Sequence, residues 1–161
     1  MSKSISIIMG SQSDLETVNQ AINLLKGFKV GFEVKVLSAH RTPKELAKYV
    51  EAATRKGTKV FIAAAGGSAA LAGVVASHTT LPVIGIPIET KSLKGLDSLL
   101  STVQMPAGIP VAGMAIGKAG AKNAAIFALE ILGVTDKKIQ AKLAKHKKGM
   151  RVKILKARIK S

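Results

Sequence analysis

The apolar positions of the chain alternate between two periods. Short runs rich in β-branched and other apolar residues recur at Ser4–Met9, Phe32–Leu37, Lys59–Ala64, Val83–Ile86 and Val111–Ile116, and read as strands. Between them the apolar positions fall three and four apart, as on one face of a helix. Leu15, Val18, Ile22 and Leu25 make the first such face, with the helix running to about Lys26 and Gly27 as its stop. Leu46, Tyr49, Val50 and Ala53 make the second, which ends near Gly57. Ala69 to about Ser77, Leu96–Val103 and Lys118–Leu132 read as three more helices. From Asp136 onward the pattern is a basic helix, broken or bent near Gly149.

Strand alternating with helix predicts an α/β protein, a three-layer αβα sandwich around a parallel sheet. The flavodoxin-like strand order 2-1-3-4-5 is the arrangement expected. Residues 1–161 read as a single domain, with an αβα core over 1–135 and a basic helical tail over 136–161.

The punctuation between elements locates candidate chemistry. Ser13 with Glu16, and Thr42 with Glu45, have the spacing of capping boxes, and Pro43 suits a first helical position. In a parallel sheet all strand-to-helix loops leave from one edge, so the turns at Ser11–Asp14, His40–Arg41 and Gly66–Ser68 become neighbours. Three helix N-termini aimed at one crevice favour an anion, phosphate above all. Arg41 adds a permanent forked cation, and Ser11, Ser13 and Ser68 add neutral donors. Asp14 would repel phosphate but can accept from ribose hydroxyls, and His40 titrates near neutral pH. The crevice therefore reads as a phosphoribosyl site. Each piece alone has a plainer reading, as a cap, a turn or a packing glycine; their meeting on one edge is what favours a site. His78, near a helix end, reads as structural, and His146, among lysines, as exposed. No grouping of His, Asp and Glu has metal-ligand spacing.

Composition narrows the picture. Hydrophobic residues make up 47% and aromatics 3%, so the core is built from Ala, Val, Ile and Leu. With no cysteine there are no disulfides and no thiolate chemistry, which suits a cytoplasmic protein. Met1–Gly10 lacks the features of a signal peptide. Val60–Ile88 contains no charged side chain and is long enough to span a bilayer. Gly66, Gly67, Pro82 and Pro87 interrupt it, and buried parallel strands produce the same apolar runs, so no membrane span is expected. The net charge of +16 is concentrated at the end of the chain: residues 137–161 carry +11 and residues 1–136 carry +5. That tail reads as a helix packed on a neighbouring subunit with its lysines solvated. It holds no aromatic residue, so sequence-specific nucleic-acid recognition is not expected.

Several stretches carry a family resemblance. Met9-Gly10-Ser11-Gln12-Ser13-Asp14, Ser38-Ala39-His40-Arg41-Thr42-Pro43, Gly95-Leu96-Asp97-Ser98-Leu99-Leu100 and Gln104 to Val111 resemble the motifs of the PurE-type enzymes of purine biosynthesis. Ile116 to Ala125 continues the match, which covers about residues 4–135 in order. The motifs are closer to the 5-(carboxyamino)imidazole ribonucleotide mutases than to the related enzymes that carboxylate aminoimidazole ribonucleotide directly. The resemblance implies a flavodoxin-like fold, a homo-octamer, a nucleotide substrate, and no metal or organic cofactor. It implies that Ser11, Asp14 and Arg41 hold the ribose phosphate, with Ser13 close by, and that His40 moves a proton at the imidazole ring carbon. It also implies substrate contacts from the glycine loop, at Gly66, Gly67, Ser68, Ala70 and Leu71. One departure stands out. The mutases usually continue this loop as Gly-Gly-x-Ala-His-Leu-Pro-Gly, whereas here Ala70 stands at the histidine position and Ala72 at the proline.

Overall fold

The structure, a computed structural model, describes residues 3–158. Its strands are β1 (Ile5–Met9), β2 (Phe32–Val36), β3 (Val60–Ala65), β4 (Val83–Pro87) and β5 (Ala112–Gly113). They form one parallel sheet in the order β2-β1-β3-β4-β5, as the alternation predicted. The helices are α1 (Leu15–Phe28), α2 (Pro43–Arg55), α3 (Leu71–Ser77), α4 (Leu96–Val103), α5 (Gly117–Gly133) and α6 (Lys137–Leu155).

The period-two alternation of the central strands sorts their side chains to two faces. Ile5 and Ile7 of β1, Ile62 of β3 and Ile84 of β4 pack beneath α1 and α5. Ile8, Phe61 and Ala63 pack beneath α2 and α3. Both faces are covered, so β1 and β4 are buried along their whole length and β3 along all but Ala65. Each such Ile or Leu contributes about 1.5–3 kcal/mol through burial. α1 and α5 meet over Ala121, Ala124, Ala125 and Ala128, all fully buried, so small side chains let the helices approach closely. The charge-free stretch is β3, α3 and β4, and no helix among the described residues is long and apolar enough to cross a membrane.

Local departures from expectation have physical causes. α1 runs past Gly27 to Phe28 and closes on Lys29, which takes the left-handed conformation at φ 55°. α6 continues through Gly149: a single glycine costs only about 1 kcal/mol against alanine. The helix is fixed at its start by Asp136, which accepts from Lys138 N (2.8 Å) and Ile139 N (3.2 Å), and by the buried Ile139 and Leu143. β5 is two residues long; Pro110 before it has no N–H, and beyond Gly113 the pairing continues only as Met114 N to Gly85 O at 2.9 Å. Tyr49 is half-buried, with its hydroxyl 2.6 Å from Oγ of the fully buried Ser6. That burial pushes its phenol well above the usual range. His146 is not free in solvent but lies against Phe28, the ring centres 5.5 Å apart.

Candidate active site

The sheet order puts the ends of β1 and β3 side by side, and the chain leaves them in opposite directions. That is the switch point at which open α/β sheets bind ligands. A cleft of about 530 Å3 opens there, within the usual span of small-molecule sites, about 300–1,000 Å3. The turn after β1 brings Ser11, Ser13 and Asp14 to it, the turn after β2 brings Ser38, His40 and Arg41, and the loop after β3 brings Gly66, Ser68, Ala70 and Leu71.

The first turn is a one-turn 3-10 helix, Gln12–Asp14, and its cap differs from the predicted one. The capping box joins Ser11 to Asp14, not Ser13 to Glu16. Asp14 Oδ2 accepts from Ser11 N at 3.2 Å, and Ser13 Oγ lies 2.9 Å from Ser11 Oγ and 3.3 Å from Asp14 Oδ1. The cap therefore sits two residues earlier than predicted, on a 3-10 turn ahead of α1, and Ser11, Ser13 and Asp14 all line the crevice. Burial pushes the Asp14 carboxyl above its ordinary value of 3.8, against the Ser11 amide, the Ser13 hydroxyl and the Arg41 charge, which pull it down.

The second turn also departs from its predicted cap. Thr42 Oγ1 makes no bond to the start of α2. It accepts from Ser38 N at 2.8 Å and donates to Ser38 O at 3.1 Å, closing the turn that carries His40. Ser38 Oγ accepts from Arg41 N at 3.2 Å, and Arg41 Nη2 donates to Gly10 O at 3.0 Å. Arg41 is thus drawn across to the first turn, and both Arg41 and the exposed His40 line the cleft.

Of the residues predicted for the site, Gly67 alone does not line it. It has φ +68°, and its N–H is taken by Ser98 Oγ at 2.9 Å. Ala70 does line the cleft, as the residue before α3, with no polar side-chain atom to offer. His78 sits at the far end of α3, its Nδ1 3.8 Å from Glu51 Oε1, and does not reach the cleft. Sequence reasoning passed over Ile88, Glu89 and Thr90, which form the cleft side beyond β4. Their signal was available: they follow a strand directly, on the same sheet edge as the other three turns.

Fold and cleft define a doubly wound α/β protein with a cleft at the carboxyl ends of its strands, the place where such sheets bind their ligands. The family model described as AIR carboxylase matches residues 4–153, and the chain belongs to that family. It is 50% identical to the N5-carboxyaminoimidazole ribonucleotide mutase of Saccharolobus solfataricus over 155 residues, 96% of this chain and 97% of that protein. It is also 50% identical to the mutase of the same name from Bacillus subtilis, over 94% of this chain and 93% of that one. Among solved structures, Treponema denticola PurE superposes with a TM-score of 0.84 at 30% identity, covering 94% of this chain and 93% of its own. A variant of PurE2 from the same organism superposes with a TM-score of 0.88 at 28% identity, covering 96% and 95%.

Proposed function

We propose that this chain is an N5-carboxyaminoimidazole ribonucleotide mutase of purine biosynthesis. The observation that carries the reading is the cleft. One imidazole, His40, shares it with an arginine and a serine–aspartate turn suited to a sugar phosphate, in a chain half identical to curated mutases over nearly its whole length. In this reading Arg41 and the hydroxyls of Ser11 and Ser13 bind phosphate, and the Asp14 carboxylate accepts from the ribose. The glycine loop and Leu71 hold the carboxylated imidazole end.

The reaction breaks the bond from the exocyclic nitrogen to the carboxyl carbon and forms a bond from ring carbon 4 to that carbon. Carbon dioxide released beside Leu71 and Ile88 is attacked by the ring carbon before it escapes, which requires water to be excluded. The proton on carbon 4 then leaves to a base and the nitrogen regains one. His40 is the imidazole at the cleft, and imidazole is the side chain most often used to move a proton in this way. Incubation with N5-carboxyaminoimidazole ribonucleotide should yield the ring-carboxylated nucleotide; no conversion by folded protein would refute the reading.

The same reading places the protein in the cytoplasm as a homo-octamer. Leu96, Leu100 and Val103 form a stripe on α4 at 51%, 47% and 44% exposure, an apolar face of the kind that self-association covers. A second reading, a ligand-binding homologue with little turnover, is favoured by one observation. Ala70 offers the cleft neither a donor nor a titratable proton. Ala70→His separates the two: a rate increase marks a missing catalytic group, and an unchanged rate shows the chain does not need one.

A further inference from the structure

One side of the cleft is made by two segments that follow neighbouring strands. It consists of the glycine loop after β3 and the Ile88–Thr90 segment after β4. Neither presents a cation or an imidazole, so what this side does to a ligand depends on where its main chain sits. Two residues make that position hard to hold locally. Gly67 has φ +68°, a region glycine leaves as easily as it enters. Gly66 has no side chain and lies against Ile88, where an added Cβ would stand 3.5 Å from Ile88 Cβ.

The tie comes from outside the cleft. Ser98, in the first turn of α4, is fully buried. Its hydroxyl accepts from Gly67 N at 2.9 Å and donates to Ile88 O at 2.7 Å. One side chain thus satisfies a part-buried donor on one segment and a part-buried acceptor on the other, and ties them together beside the main-chain bond from Ile88 N to Ala65 O at 2.9 Å. Ser98 is not among the residues that line the cleft.

We infer that Ser98 is a positioning residue for the carboxyl-transfer step: through Gly67 and Ile88 it sets the main-chain side of the cleft that faces the reacting end of the nucleotide. The inference rests on the mutase reading above. The ribose phosphate is held on the opposite side, by Ser11, Asp14 and Arg41, and does not depend on this tie. Removing the hydroxyl therefore separates chemistry from binding of the sugar phosphate.

The test compares Ser98→Ala with Thr102→Ala. Thr102 is a control buried in the same helix, and its hydroxyl donates to Ser98 O at 2.8 Å without touching either cleft segment. Ser98→Ala should lower kcat by about tenfold or more, the scale on which small misplacements act. KM for the carboxyamino nucleotide should stay within about threefold and Kd for ribose 5-phosphate within about twofold. Thr102→Ala should lower the melting temperature comparably and leave kcat near wild type. Ser98→Cys, which fills the space with a slightly larger thiol but replaces the hydroxyl with a weak partner, should show the same loss of kcat, and it serves where the alanine variant folds poorly. A kcat within twofold of wild type in Ser98→Ala or Ser98→Cys would overturn the inference. So would a parallel loss of ribose 5-phosphate affinity, or an equal kcat loss in Thr102→Ala. Wild-type protein that neither turns over the nucleotide nor binds ribose 5-phosphate would instead remove the mutase reading, and this inference with it.

Discussion

His40 and Asp14 divide the candidate chemistry between them. His40 is exposed at the cleft and its ring makes no hydrogen bond among the described residues, so replacing it tests chemistry with little cost to the fold. His40→Asn should lower kcat by about 10²–10⁴, the usual share of a general acid or base. Isothermal titration with ribose 5-phosphate should show unchanged affinity; equal activity would refute the proton role. Asp14 behaves differently, because burial holds its carboxyl above the ordinary value of 3.8. A carboxyl raised on folding favours the folded state below its unfolded pKa, and that contribution is lost as pH climbs through the raised value. Asp14→Asn should therefore melt higher than wild type at pH 7, with the gain shrinking as pH falls through the raised value and gone below the ordinary value of 3.8. The same variant should bind ribose 5-phosphate about tenfold more weakly, since an amide is a poorer acceptor than a carboxylate. Melting curves across pH, paired with titrations, check both signs.

At the scale of elements, what the sequence made legible followed its periodicities. The core strands and helices were readable because apolar spacing depends directly on burial. The turns were harder because several local options have similar energies. Ser13–Glu16 and Ser11–Asp14 both have capping-box spacing, and only the second puts Asp14 in a half-polar recess where Ser11 N and Ser13 Oγ satisfy it. The spacing makes Thr42 a cap for α2, yet its hydroxyl closes the preceding turn, a choice set by the proximity of Ser38. The Ile88–Thr90 side of the cleft escaped because its polar residues look like any connection until β4 is placed beside β3. One contact between elements yields a sharp expectation. A Cβ at Gly120 would run into the Ala115 carbonyl oxygen. Alanine there would bring about 1 kcal/mol of helix propensity, but backbone overlap of this kind costs more. Gly120→Ala should destabilise the protein by about 2–3 kcal/mol in urea unfolding; a neutral or stabilising result would mean that α5 approaches the strand end less closely.

The whole molecule is built on a parallel sheet whose site-bearing edge is also the edge that α4 supports. If the Leu96, Leu100 and Val103 stripe is the association face, Leu96→Glu with Leu100→Glu should yield smaller particles by light scattering, with far-ultraviolet circular dichroism unchanged. Assemblies of unaltered mass would show that the stripe serves another purpose.

Strand order has a further consequence, for the way the chain is made. β1 is synthesised first and lies next to the sheet's centre, with all five residues buried. Its inner partner β3 begins only at Val60, and the β4 strand that shields β3 only at Val83. A growing polypeptide must therefore carry Ile5–Met9 unpaired on one side through much of translation, since parallel neighbours far apart in sequence close late. Sticky segments of this kind make nascent chains dependent on dilution or chaperones. Refolding yield from denaturant should fall steeply with protein concentration, and an added Hsp70-type holdase should restore it.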